Sequence, residues 1–94
     1  MIMIADYVEE IIATLEELGF EISNFKRDYG LLFLTLNKNT DANTNRDIVK
    51  YFFDKADFSM HTVILLENGY IKMVFILDEY LLKKDLEILK SLKI

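Results

Sequence analysis

Apolar residues recur along this chain in two rhythms, one of helical and one of strand period. Over residues 5–18, Tyr7, Val8, Ile11, Ile12, Leu15 and Leu18 return every three or four positions, as one buried helical face requires. Gly19 follows, where a helix C-cap favours positive φ. Residues 20–27 and 31–36 favour strands, and Asp28, Tyr29 and Gly30 between them predict a three-residue hairpin loop with glycine in the left-handed position. Residues 37–45 are polar and aperiodic, which predicts a long loop. Thr44, with Asp47 three residues on, predicts a capping-box-like helix start, and Ile48, Val49, Phe52, Phe53 and Ala56 form the apolar face of a helix ending near Asp57. Residues 60–66 and 70–77 read as strands flanking Glu67, Asn68 and Gly69, and Asn-Gly between such runs is a strong hairpin signal. Asp78 is placed to cap a last helix with Leu81, Leu82, Leu86, Leu89 and Leu92 inward and lysines toward its end, where they suit the helix dipole.

The predicted order is α-β-β-α-β-β-α. It implies a single α+β domain over residues 1–94, with a largely antiparallel four-stranded sheet made of two hairpins and three helices. Residues 5–37 and 45–77 repeat the same element order without residue-level identity, so they read as two uses of a common unit and not as a duplication. The second strand carries Leu32, Leu34 and Leu36 on one face and Leu31 and Phe33 on the other. The fourth sets Ile71, Met73, Phe75 and Leu77 against Tyr70, Val74 and Ile76. A sheet wetted on one side alternates apolar with polar residues, and these strands do not. Either the helices divide between the two faces, or they crowd one face and leave the other to a partner. With five tyrosines and seven phenylalanines in so small a domain, the expectation is a homodimer.

Composition removes most chemistry. Hydrophobic types make up 52% of the chain, enough for a core, which argues against disorder. With no cysteine there is no disulfide or thiolate site, and a single histidine excludes a multi-histidine metal site within one chain. The apolar runs at 31–34, 63–66 and 73–77 fall far short of a bilayer span, and residues 1–5 lack the basic start of a secretory signal, so the expected location is the cytoplasm. Gly19, Gly30 and Gly69 are used by a cap and two turns, leaving neither a phosphate-binding loop nor a dinucleotide fingerprint. His61 reads as a packed residue inside the third strand, and Ser23, Ser59 and Ser91 lack a nucleophile context. Asp41, Asn43, Asn45 and Asp47 alternate like the start of a calcium loop, but Arg46 stands where the turn needs glycine and Phe52 where the bidentate glutamate belongs. Lys26-Arg27 and Lys83-Lys84 read as solvated surface pairs. The expectation is a protein that is not an enzyme and holds no cofactor or metal.

Charge restores a functional signal. Sixteen acids against eleven bases leave a net charge of −5, which disfavours direct binding of nucleic acid or an anionic membrane. The excess is concentrated: residues 1–25 contain Asp6, Glu9, Glu10, Glu16, Glu17 and Glu21 and no lysine or arginine. At 100° per residue the five acids of the first helix fall within a sector of about 120° opposite the apolar stripe. Glu16 and Glu17 in its last turn oppose the helix dipole, and Asp6 and Glu10 form a like-charge i,i+4 pair, so local stability does not select the pattern. Solubility is one explanation. The other is imitation of a phosphate backbone. Eleven residues at 1.5 Å cover about 16 Å, so the five carboxylates come every 3–4 Å or so, near the ~3.4 Å phosphate rise of a DNA strand. Two such rows in a dimer would then approximate both strands.

A short, acidic, cysteine-free chain rich in Asn, Lys, Ile, Phe and Tyr, with an α+β order and an acidic helix face, resembles the small early proteins of T4-like phages. Among these it is similar in size and charge to the Arn-type anti-restriction DNA mimics. The resemblance spans the chain in length and character and includes no diagnostic motif. It implies a non-catalytic, dimeric inhibitor of a host restriction or defence nuclease, acting in the cytoplasm of an infected bacterium, with Asp6, Glu9, Glu10, Glu16, Glu17 and Glu21 as the partner-binding surface. The element order, acidity and expected dimer also look like type III secretion chaperones, although these carry an additional strand before the second helix, which residues 37–44 are too polar to supply.

Overall fold

The computed structural model describes residues 3–38, 42–55, 58 and 61–92. Three helices and four strands follow the predicted order: α1 (Ile4–Glu17), β1 (Glu21–Asp28), β2 (Leu31–Asn37), α2 (Ala42–Lys55), β3 (Val63–Glu67), β4 (Tyr70–Ile76) and α3 (Glu79–Ser91). The strands form one antiparallel sheet in the order β1-β2-β4-β3, so each hairpin supplies one edge strand and one central strand. The domain is α+β.

Both hairpin turns are tighter than the sequence predicts. Asp28 pairs with Leu31 and Glu67 with Tyr70, leaving two residues per turn. Tyr29 and Gly30 have φ of 51° and 72°, and Asn68 and Gly69 have 52° and 83°. Two successive left-handed residues make the turn whose twist matches that of the flanking strands. Asp28 and Glu67 are thereby the last residues of their strands.

Side-chain alternation fixes the register. Leu32, Leu34 and Leu36 of β2 lie opposite Phe75, Met73 and Ile71 of β4, and all six are essentially inaccessible. Onto this stripe pack Tyr7, Val8, Ile11 and Leu15 of α1, Ile48, Val49 and Phe52 of α2, and Leu82, Leu86 and Leu89 of α3. All belong to a single core cluster, so the three helices share one side of the sheet. Of the two arrangements open to the sequence, the one-sided arrangement is the one formed. Phe52 stands at the centre of an aromatic group, with ring centroids 6.1 Å from Phe20 and 5.8 Å from Phe58. The Lys38 ammonium lies 5.8 Å from the Phe20 ring centroid, within cation–π range.

Helix ends follow local chemistry. Asp78 caps α3 as predicted, its Oδ1 accepting from the Leu81 amide at 3.0 Å. Gly19, with φ of 96°, follows α1, and the Phe20 amide closes the end by donating to the Leu15 carbonyl. The second helix departs from expectation. It begins by Ala42, so Thr44 lies inside it and is not its cap. Asn45 is the reason that the polar segment is not all loop. It is 2% exposed, accepts from the Lys38 amide at 3.2 Å and donates to the Gly69 carbonyl at 2.7 Å. One amide thus ties α2 to the end of β2 and to the second hairpin turn, a contact between residues 24 positions apart that local propensity cannot reveal. Asp85 of α3 is a second buried polar residue, accepting a hydrogen bond from the Thr62 hydroxyl ahead of β3. The expected Ala56, the helix end near Asp57, and Met60 lie outside the described residues.

Replacing Asn45 with Ala orphans a backbone donor and an acceptor, so it should lower the unfolding free energy by about 1–3 kcal/mol. Urea titration followed by circular dichroism measures this. Asn45→Asp keeps an acceptor, loses the donor to Gly69 and buries a carboxylate, so its midpoint should fall at least as far.

Candidate functional site

The apolar stripe of α1, with Ile11 and Leu15 wholly buried, turns the opposite side of the helix to solvent. On that side Asp6, Glu9, Glu10, Glu16 and Glu17 are all exposed. Ala13 is exposed between them, and its small side chain leaves a shallow saddle bordered by Asp6, Glu9 and Glu10. The predicted row of five carboxylates on one helix is therefore present, about 16 Å long at 1.5 Å per residue.

Its members are not equivalent. Asp6 accepts from the Met3 amide at 2.9 Å and so also serves the helix start, where a carboxylate satisfies a free N–H and suits the dipole. Glu10 meets Lys90 of α3 at 3.6 Å. Both side chains are 57% exposed, so this ion pair is solvent-screened and contributes little to stability. It nonetheless places a cation beside the middle of the row. Glu9, Glu16 and Glu17 make no ion pair among the described residues. The last turn of α1 holds no basic residue of its own, so Glu16 and Glu17 oppose the helix dipole, although the Lys38 side chain reaches from the end of β2 to Gly19 at that helix end.

Glu21 parts from the other five. It begins β1 opposite Asn37, and because its neighbour Ile22 packs against the core, alternation directs Glu21 to the sheet face away from the helices. The acidic surface read from the sequence therefore separates into a helical row and one carboxylate on the opposite face of the sheet. Lys90 is a neighbour of the row that the sequence does not reveal. Its place near the end of α3 was legible, but nothing in the sequence shows that α1 and α3 lie side by side.

The remaining candidates scatter. His61 is exposed in a turn ahead of β3, and not inside a strand as expected, because β3 begins only at Val63. Ser23 and Ser91 are exposed, with hydroxyls donating to the carbonyls of Thr35 and Ile88, and Ser59 lies outside the described residues. Asn43, Asn45 and Asp47 are helical, so their side chains fan around an axis and cannot converge on a cation. Asp41 lies outside the described residues. Among the described residues no cluster of His, Asp or Glu is arranged to hold a metal ion, and no helix is long and apolar enough to cross a membrane.

If Glu16 and Glu17 work against their own helix, the double change Glu16→Gln and Glu17→Gln should raise the melting temperature at low salt, the stability gain being about 0.3–1 kcal/mol. The gain should disappear at high ionic strength, since both sites are exposed. Thermal melts at two salt concentrations measure it, and an unchanged or lowered low-salt melting temperature would contradict this account of the row. Comparison with protein-family models, curated proteins and solved structures finds no match to this chain.

Proposed function

We propose that this protein is a non-enzymatic acidic inhibitor of a DNA-binding protein, such as a restriction or defence nuclease, and that the carboxylates of α1 stand in for phosphates of duplex DNA. The observation that carries the reading is the exposed row itself: five acids along one rigid helix, three of them without an ion pair among the described residues. A nuclease channel lined with lysine and arginine is built to exchange counterions for phosphates at a regular spacing. A helix offering five carboxylates within about 16 Å, as a group of three (Asp6, Glu9, Glu10) and a group of two (Glu16, Glu17) about 9 Å further on, competes for the same cations at little ordering cost because they are already fixed in place. Inhibition then needs only occupation of the channel, and no group of the inhibitor has to react. The inhibitor would act in the cytoplasm of the cell that holds the nuclease.

A second reading, a small acidic chaperone or interaction module, is favoured by a different observation: the sheet face away from the helices carries exposed Phe33, Val63 and Leu65. The two differ in the physics of the contact. A mimic binds through charge and weakens as salt rises, whereas a chaperone holds an extended apolar segment with little salt dependence.

Replacing Glu9, Glu10, Glu16 and Glu17 with Gln should leave the fold intact and abolish binding to the target. Duplex DNA should displace the wild-type protein from that target, and affinity should fall steeply between low and physiological salt. Isothermal titration across a salt series reads all three. Undiminished binding by the quadruple variant would refute the mimic.

A further inference from the structure

We infer that two copies of this chain associate through the uncovered face of the sheet, stacking sheet on sheet and leaving the α1 carboxylates on the far sides of the pair. The helices all pack on one side, so the other presents a continuous apolar band: Leu31 and Phe33 of β2, Val74 and Ile76 of β4, and Val63 and Leu65 of β3. Phe33, Val63 and Leu65 are 38%, 46% and 39% exposed, although each sits within a paired strand where burial would stabilise it.

Area and charge both favour a second copy as the occupant. Four strands at about 4.8 Å and seven residues at about 3.4 Å give the whole sheet face ~450 Å² in projection, the apolar band at its centre and the polar β1 positions Asn24, Lys26 and Asp28 along its rim. Two such faces, with side-chain relief added, reach the ~1,000 Å² that a specific interface needs. The face is also nearly neutral. Lys26 pairs with Asp28 at 3.3 Å, Lys72 donates to the Thr35 hydroxyl at 2.7 Å, and Glu21 and Glu67 lie toward one end. Contact through α1 would instead bring two acidic rows together. Stacked sheets lie about 10 Å apart, and helices about 10 Å thick lie beyond each, so the two rows stand ~30 Å or more apart. That exceeds the ~12 Å width of a major groove, so the rows of one dimer do not trace the two strands of a single duplex. Under the inhibitor proposal each row then meets its own target, whereas the dimer itself does not depend on that proposal.

Sedimentation equilibrium of the full chain at tens of micromolar should give twice the chain mass. Phe33→Lys, at the centre of the band, should weaken association at least tenfold or so by burying an unpaired charge. Leu65→Lys should act likewise and serves if Phe33→Lys fails to fold, as judged by circular dichroism. Tyr80→Lys, on 75% exposed Tyr80 of the helical side, should leave the dimer unchanged. A wild-type monomer at these concentrations overturns the inference, as does a dimer that survives both sheet variants. Its persistence would indicate pairing through a strand edge or the helices. A monomer that binds an unfolded client through this face also overturns it and supports the chaperone reading.

Discussion

The constraint on which the rest depends is that the two central strands bury one face each and the same face together. Leu32, Leu34 and Leu36 interleave with Ile71, Met73 and Phe75 across the β2–β4 pair, and these six side chains are the floor on which every helix rests. A slip of one residue in this pairing would send all three residues of one strand to solvent, so the register is held by burial and not by the turns alone. Once the floor is fixed, α1 must turn Ile11 and Leu15 toward it. The direction of the acidic row follows, because row and stripe lie on opposite sides of the same helix.

A one-sided core leaves two problems, and polar contacts solve the first. Helices resting on a smooth apolar floor are free to slide, since hydrophobic contact is non-directional. Asn45 removes that freedom for α2 by bonding to the backbone at Lys38 and Gly69, and Asp85 does so for α3 through Thr62. The second problem is the edges. β1 carries Lys26, Arg27 and Asp28 in its outer half, charges that discourage pairing with another strand, and β3 is only five residues long. What stays unprotected is the apolar face between the edges.

Much of this architecture was legible in the sequence because it is written in periods. The stripe of α1, the Asn-Gly hairpin and the Asp78 cap each follow from residues within one turn or one strand of one another. The contacts that were not legible join distant positions. Asn45 reads as loop because Asn, Thr and Asp around it favour turns locally, whereas its buried bonds to Lys38 and Gly69 anchor the start of a helix. Charge along the chain groups Glu21 with the helical acids, whereas a strand sends alternate residues to opposite faces. Lys90 escaped because the neighbour of a helix is set by the fold and not by its own sequence.

The acidic row and the apolar sheet face are best understood together. If the row served solubility alone, its charges would act anywhere on the surface, and the least costly sites are loops and helix N-termini. They are instead held on one rigid helix, with Glu16 and Glu17 at the end where the dipole opposes them. A solubilising role also fits poorly with their distribution, because the greasy part of the surface is the sheet face, which lies away from the row and carries little net charge. A protein that holds a row of carboxylates on one side and a band of exposed apolar residues on the other is, under the inhibitor and dimer proposals, suited to two different contacts. The physical demands of those contacts are opposite, since one strengthens as salt is removed and the other depends on excluding water.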